Sequence, residues 1–322
     1  MTVHWGILST ARISEKFLAG IAGSSVCDVL AVASRERSRA DAYASEHGIG
    51  RAYGSYEELL DDPEIDAVYI PLPNALHLEW TRRALEAGKH VLCEKPLGRR
   101  AADVEATFDL AEAEQRLLME GFMYRHHPQT TRLAELVSAG AIGRLRLVRG
   151  SFSFPLAHRA DVRMSRELEG GALMDVGCYC VNAARMLAGE AEEAGALAVI
   201  GGDGVDITFV GSMRCAHGVL AHFDVGFVLS ARHDLEVVGE DATLYVRDPW
   251  HCRSPGIELR RGETVERIEV PPANPYTLQA DNFAAAIRGE AAPVLGRADA
   301  VGQARTIEAL SAAAAAGRLI GI

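Results

Sequence analysis

Lys95 has the clearest chemical capacity in the chain. It closes the stretch His90-Val91-Leu92-Cys93-Glu94-Lys95-Pro96, an apolar run that ends in a charged pair and a proline. Such a run reads as a buried strand, and an amine at the carboxyl end of a buried strand stands where open α/β sheets place their ligands. A solvated Glu-Lys pair is the plain alternative, so the lysine needs company. It comes from Leu173-Met174-Asp175-Val176-Gly177-Cys178-Tyr179-Cys180-Val181-Asn182, which reads as helix. Asp175 and Tyr179 are four apart and share one helical face, which Asn182 continues. A carboxylate, a phenol and an amide in one row on an apolar helix are costly to bury unless paired. The row is either a hydrogen-bonded structural one or a ligand-facing one. In the second case an ammonium beside a phenol is a proton-transfer pair, because the cation lowers the phenol's ordinary pKa of about 10.

The elements that position these groups begin at Val3–Leu8, which is strand-like. Ser9-Thr10-Ala11-Arg12-Ile13-Ser14 follows, then a helical pattern through Phe17, Leu18 and Ile21. Strand, tight small-residue turn and helix open a dinucleotide-binding unit. Small residues stand where the usual three glycines would; they permit close backbone approach, and the helix's first amides still attract an anion. Ser9, Thr10, Ala11, Arg12 and Ile13 are therefore candidate cofactor contacts, with a plain strand-to-helix turn as the alternative. The second strand, Val29–Arg35, ends where NAD-binding proteins carry a ribose-reading acid. Ser34 and Arg35 stand there instead, with Arg39 close behind. A hydroxyl and guanidinium groups suit the 2′-phosphate of NADP, which an acid would repel. NADP is the expected cofactor, with NAD open; a solvated basic turn is the alternative.

Asp66–Pro73 reads as another buried strand. Pro71 and Pro73 cannot continue a central ladder, so the chain leaves the sheet there. Pro71, Leu72 and Asn74 become candidate cofactor contacts at its carboxyl edge, and His77 is either a further one or a structural histidine. A helix over 76–87, closed by Gly88, leads to the Lys95 strand, where Glu94 joins the cofactor candidates. A helix over 101–114 leads into Leu117–Arg125. Strands alternating with helices at this spacing predict a doubly wound parallel sheet. The expected domains are 1–123 and 124–322. Tyr124 is a candidate substrate contact and Arg125 a candidate cofactor contact. His126-His127 lacks a third ligand, and no metal is expected.

Composition narrows the function classes. The 322 residues suit two domains, and 48% hydrophobic with 24% charged residues is a globular balance. A net charge of −11 argues against nucleic acid and anionic membrane surfaces as partners. Met-Thr-Val leads straight into a strand-like run without a signal-like pattern, and no apolar stretch reaches membrane length. The six cysteines show no C-x-x-C spacing, so buried free thiols and a cytoplasmic location are expected.

Downstream, a helix over 131–139 and a strand over 145–154 precede the polar loop Arg159-Ala160-Asp161-Val162-Arg163-Met164, a candidate substrate lip with Arg163 as ligand contact. Gly170-Gly171 opens the Asp175 helix. Short strands over 206–215, 219–229, 234–238 and 243–246, with glycine punctuation, predict an antiparallel sheet. Helices over 276–287 and 298–316 close the chain, with Tyr276 and Asp281 read as packing and capping residues.

Four segments resemble one family: I-L-S-T-A-R-I-S at 7–14, V-Y-I-P-L-P-N-A-L-H at 68–77, G-K-H-V-L-C-E-K-P-L at 88–97 and G-G-A-L-M-D-V-G-C-Y at 170–179. Together they are similar to the Gfo/Idh/MocA (glucose–fructose oxidoreductase, inositol dehydrogenase) family, nearly end to end. The nearest branch is that of NADP-dependent xylose and trans-dihydrodiol dehydrogenases, where S-T-A-R often replaces the glycines. The resemblance implies an α/β protein with an N-terminal Rossmann domain and a C-terminal α/β domain holding a large, mostly antiparallel open sheet. It implies hydride transfer between a nicotinamide and a sugar or cyclic polyol, an aldose such as D-xylose favoured, and a homodimer or homotetramer through the C-terminal sheet. It also implies a catalytic Lys95. Tyr179 then exchanges the proton while Lys95 tunes it, or the two swap roles; Asp175 binds substrate or orients Lys95. Asn182 joins Tyr124 and Arg163 on the substrate side. Two other classes stay open: a redox-neutral, nicotinamide-dependent glycosidase, and a non-catalytic sugar or NADP sensor, against which the acid/base pair speaks.

Overall fold

A computed structural model of the chain describes residues 2–157 and 161–322. It divides into two compact units. The first comprises the chain up to Gly98, Ala102–Met123 and Asn274–Val301; the second comprises Arg99–Ala101, Tyr124–Ala273 and Gly302–Ile322. The chain changes unit between Met123 and Tyr124, and 274–301 returns to the first unit.

The first unit is built on strands β1 (Val3–Leu8), β2 (Cys27–Ala33), β3 (Arg51–Tyr53), β4 (Ala67–Ile70), β5 (His90–Glu94) and β6 (Leu118–Gly121). They lie in the order β3-β2-β1-β4-β5-β6, all parallel. The order reverses beside β1, which is where a doubly wound sheet receives its ligand. Helices α1 (Arg12–Ile21), α2 (Arg37–His47), α3 (Tyr56–Leu60), α4 (His77–Glu86) and α5 (Ala101–Ala113) connect the strands. Every residue of β4 is buried, as expected of a strand covered on both faces. β4 stops at Ile70 because Pro71 and Pro73 have no N–H to continue the ladder. A 3₁₀ turn at Asn74–Leu76 then leads into α4, so the helix begins slightly later than expected. Phe17 stacks on Tyr69 with ring centroids 4.0 Å apart, and Trp5 meets Phe17 edge-on at 5.3 Å.

In the second unit, α6 (Pro128–Ser138) and a π-helical turn (Leu173–Gly177) running into α7 (Cys178–Ala188) accompany a nine-stranded sheet. Its strands are β7 (Leu145–Ser153), β8 (Ala191–Ile200), β9 (Asp206–Cys215), β10 (Leu220–Gly226), β11 (Arg232–Gly239), β12 (Thr243–Val246), β13 (Ile257–Arg261), β14 (Thr264–Ile268) and β15 (Ile320–Gly321). The order is β14-β13-β12-β11-β7-β10-β9-β8-β15, antiparallel except at β7–β10. The sheet exposes an apolar row at Leu197, Val199, Ile200, Val210 and Leu220. Of the polar loop at 159–164, Arg159 and Ala160 lie outside the described residues; Val162–Met164 forms a 3₁₀ turn.

α8 (Pro275–Ile287) and α9 (Arg297–Ala316) close the chain. α8 belongs to the first unit for a specific reason. Thr277 Oγ1 donates to the Gly20 carbonyl at 2.7 Å, Ser24 Oγ donates to Asp281 at 2.5 Å, and Phe283 lies 5.5 Å from Trp5. All six cysteines are free and buried. Among the described residues, no helix is long and apolar enough to cross a membrane.

Candidate active site

The turn after β1 does without glycine what a dinucleotide turn needs. Ser9 has φ 139°, a backbone region that favours glycine. Ala11 then precedes α1 in extended conformation, and no side chain caps the helix. Its first amides lack intrahelical partners and suit an anion. Thr10 and Ile13 are half-exposed and Arg12 is exposed. Tyr56, at the start of α3, gathers this turn and the end of β2. Burial raises its pKa, while Arg35, the Ser9 hydroxyl and Arg39 act nearby in the opposite sense. Ser34 is buried just past β2, its N–H donating to Tyr53 O at 3.1 Å, whereas Arg35 and Arg39 are exposed. A glycine-like turn, an uncapped helix start and two guanidinium groups fit a phosphorylated dinucleotide. Tyr56 is not foreseeable from spacing; the one local signal is Ser55, whose side chain accepts from the Glu58 N–H and starts α3.

Lys95 follows β5 directly and is half-buried. Its N–H donates to Glu94 Oε2 at 3.3 Å, and Glu94 accepts from the Tyr69 hydroxyl at 2.7 Å. The Lys95–Pro96 peptide bond is cis. Leu97 N–H donates to the buried Glu120 at 2.8 Å. His77 holds this segment to the one after β4: Nδ1 lies 2.8 Å from Pro96 O and Nε2 lies 2.7 Å from Leu72 O. Two carbonyls would both be satisfied by an imidazolium, yet burial, with the Lys95 charge adding to it, lowers the ring's pKa to about 4. The ring is therefore neutral near pH 7, one nitrogen donating and the other held against a carbonyl. At 1% exposure, with both nitrogens on backbone, His77 clamps the loops that flank Lys95. Pro71 and Leu72 are buried beside it, and Asn74 is half-buried at the start of the 3₁₀ turn.

In the second unit, Asp175 lies inside the π-helical turn. A π turn holds more residues per circuit than an α turn. The uninterrupted α register expected from 175 through 179 to 182 is therefore corrected: regular α geometry resumes only at Cys178. Asp175 accepts from Arg163 Nε at 2.7 Å, and Arg163 Nη1 also reaches Asp161 at 3.1 Å. The Asp175 charge, aided by Asp161 against the cost of burial, pushes the guanidinium's pKa up. Arg163 thus serves as the counter-ion of Asp175.

Tyr179, 7% exposed, stands among rings. Phe152 meets it edge-on at 5.4 Å, with Tyr124 at 5.8 Å and Trp250 at 5.9 Å. Trp250 is fully buried and donates its indole N–H to Ser151 O at 2.8 Å. Asn182 Oδ1 accepts from the Tyr124 hydroxyl at 2.7 Å and from Arg125 Nη1 at 3.0 Å. At 1% and 0% exposure, Tyr124 and Asn182 form a buried brace. Residue type gave the polarity of these side chains but not their depth. Phe152 and Trp250, which the sequence did not single out, supply the apolar wall beside the phenol.

No metal-ligand spacing is visible in the sequence, yet ligand atoms of His233, Asp248 and His251 lie within 4.8 Å of one another. Asp248 accepts from His251 Nδ1 at 3.2 Å and from Arg253 Nε at 3.3 Å, and Arg253 Nη2 lies 3.3 Å from His251 Nδ1. Burial pushes the Asp248 carboxyl up, but hydrogen bonds from His251 and the Arg253 backbone outweigh it and hold it well below the usual range. A guanidinium already answers this cluster's charge.

Comparison with known proteins agrees with both units. Residues 3–122 match the model of an oxidoreductase family with an NAD-binding Rossmann fold, and residues 130–245 match the GFO/IDH/MocA C-terminal domain. The chain is 38% identical over 321 residues to D-xylose 1-dehydrogenase (NADP(+)) 2 of Haloferax volcanii, covering 98% of each. It is 39% identical over 300 residues to an uncharacterized oxidoreductase of Rhizobium meliloti, covering 89% of each. Among solved structures, a 3-ketoreductase from Actinomadura kijaniata in complex with NADP and TDP-benzene superposes with a TM-score of 0.92 at 31% identity, covering 97% of this chain and 98% of that one.

Proposed function

The chain belongs to the Gfo/Idh/MocA oxidoreductase family, and from that premise we propose an NADP-dependent sugar or polyol dehydrogenase or reductase, with an aldose such as D-xylose favoured. The observation that carries this reading is the two-way 98% coverage with an NADP-linked D-xylose dehydrogenase. The glycine-like Ser9 turn and the exposed Arg35 and Arg39 support the cofactor half of it.

When bound, NADP supplies the hydride acceptor or donor at nicotinamide C4. The chain's own work is binding and proton handling. The turn Ser9-Thr10-Ala11-Arg12-Ile13 and the first amides of α1 hold the diphosphate. Ser34, Arg35 and Arg39 take the 2′-phosphate. Pro71, Leu72, Asn74, Glu94, Lys95 and Arg125 complete the cofactor's surroundings. In the oxidative direction Tyr179 accepts the proton of the substrate hydroxyl. The Lys95 ammonium lowers the phenol's pKa, each unit being worth roughly 1.4 kcal/mol, and stabilises the developing alkoxide. Asp175, held by Arg163, hydrogen-bonds the substrate. The exposed apolar row on the second sheet supports a homodimer or homotetramer, which light scattering on the eluted protein would measure. Six buried free thiols suit a reducing cytoplasm.

Steady-state rates over aldoses, inositols and keto-sugars, each with NADP and NAD, test the reading. The expected result is stoichiometric NADP reduction by an aldose. Glycoside cleavage with tightly retained cofactor and no net NADPH would replace it with the redox-neutral alternative.

A further inference from the structure

The helix that carries Asp175 and Tyr179 begins in a confined space. Gly171 has φ +115°, and a Cβ there would lie 2.1 Å from Asp206 Oδ1; a Cβ at Gly170 would lie 2.2 Å from the Arg163 carbonyl. The Gly-Gly step is thus required by what presses on it. Asp206 is the first residue of β9, and its Oδ2 accepts the Leu173 N–H at 2.7 Å. The Ala172 N–H also acts on this carboxylate. Amides at a helix start lack intrahelical partners and form the positive end of the helix dipole. A carboxylate from a neighbouring strand therefore does for this helix what an N-cap side chain does from within. Gly171 N–H donates to Arg163 O at 2.9 Å, and Arg163 Nε holds Asp175. Cap, helix start and Asp175 counter-ion form one connected set.

We propose that Asp206 is a positioning residue for the catalytic helix: seated against Gly171 and bonded to Leu173 N–H, its carboxylate sets where the π turn begins and so where Asp175 and Tyr179 stand. This rests on the reading of those two residues as catalytic. Burial raises the Asp206 carboxyl to about 6, the Leu173 N–H, its own backbone, the Arg99 charge and the Ala172 N–H opposing that rise. The charged group acting on it is Arg99, itself 4.0 Å from Glu169. Protonation replaces a charge-assisted bond with a neutral one and weakens the hold on the Leu173 N–H, a local change in position that the relief of a buried charge outweighs in stability. An acid limb in kcat that belongs to neither Tyr179 nor Lys95 follows.

The experiment compares kcat and sugar KM from about pH 5 to about pH 9 for wild type, Asp206→Asn, Asp206→Ala and Tyr179→Phe, with NADP affinity measured separately by fluorescence. Asp206→Asn keeps the shape and an acceptor but loses the charge. Its kcat is expected to fall roughly tenfold and that of Asp206→Ala roughly a hundredfold, as when a catalytic group shifts by about an ångström. NADP affinity should not change, KM should move less than kcat, and the limb near pH 6 should vanish in both. If Asp206→Ala does not fold, Asp206→Asn carries the test. An inactive Tyr179→Phe beside an Asp206→Asn enzyme with wild-type kcat and acid limb overturns the inference alone. An active Tyr179→Phe overturns the catalytic reading and the inference with it.

Discussion

Lys95 and Tyr179 are held in opposite ways. Lys95 ends a strand whose place is set by main-chain ladders to β4 and β6, and its flanking segments are pinned at backbone carbonyls by His77. Tyr179 sits on a helix whose place is set by side chains: the rings of Phe152, Tyr124 and Trp250, the Asn182 brace, and Gln303 Nε2 donating to Cys178 O at 2.8 Å. Main-chain ladders tolerate changes of side-chain volume, whereas packed rings do not. The lysine is thus the fixed element and the tyrosine the adjustable one.

Removing either group should have the largest effect. Lys95→Ala and Tyr179→Phe are each expected to lower kcat by about 10²–10⁴, the range for a lost proton-transfer partner or charge stabiliser. NADPH absorbance gives the rates, and the double variant should be little worse than the poorer single one if the residues act as a unit. Turnover near wild type in both single variants would show that the chemistry lies elsewhere. A smaller loss is expected at the cofactor end. Arg35→Asp removes a charge-assisted hydrogen bond to the 2′-phosphate and adds repulsion, so KM for NADP should rise roughly 30- to 100-fold with little change for NAD. An Arg35→Asp enzyme that still preferred NADP would remove the case for that guanidinium.

The two units should also answer acid in opposite senses. His77 titrates at about 4 in the fold against 6.5 ordinarily. Between those values the unfolded ring binds a proton that the folded ring refuses. The first unit should therefore lose about 3 kcal/mol as pH falls through that window. Asp206 titrates at about 6 in the fold against 3.8 ordinarily. Here the folded state binds the extra proton, so its stabilisation is complete below the lower value. Roughly 2–3 kcal/mol is lost as pH rises to the upper one. Hydrogen exchange in α4 and α7 reads the units separately. His77→Gln should flatten the first slope and Asp206→Asn the second. If exchange in α4 kept its wild-type pH dependence in His77→Gln, the neutral clamp would be wrong.

Legibility followed burial and range. β4 and β5 could be read because strands covered on both faces are continuous apolar runs, and β12 because its pattern alternates. β13 and β14 show no strand signal because Ile-Glu-Leu-Arg-Arg and Thr-Val-Glu-Arg-Ile carry so much charge. The three-residue β3 is too short to show a period. Lys95 and Tyr179 stood out by motif. The π turn did not, since spacing assumes a uniform helix and one wider turn displaces Asp175. Tyr56, Asp206 and α8 reach their places from distant parts of the chain, where no local pattern points. Tyr124 and Asn182 were polar but buried against each other, a pairing that composition does not reveal.

The smallest expected effect sharpens the contrast between the two glycine-like positions. Gly171 cannot take a side chain, because Asp206 fills the space its Cβ would need. Ser9 carries one at φ 139°, a conformation that costs a non-glycine residue roughly 1–3 kcal/mol. Ser9→Gly relieves that strain but adds about 0.5–1 kcal/mol of unfolded-chain entropy. It also withdraws a hydroxyl that helps to lower the pKa of Tyr56. The balance predicts a net gain of about 1 kcal/mol, or a rise in Tm of roughly 1–2 °C for a chain of this size, read by calorimetry. The Tyr56 pKa should rise at the same time, because burial then acts with one opponent fewer. A fall in Tm would mean that the Ser9 hydroxyl contributes more than its backbone costs, and that this turn is held, like the tyrosine helix, by side chains.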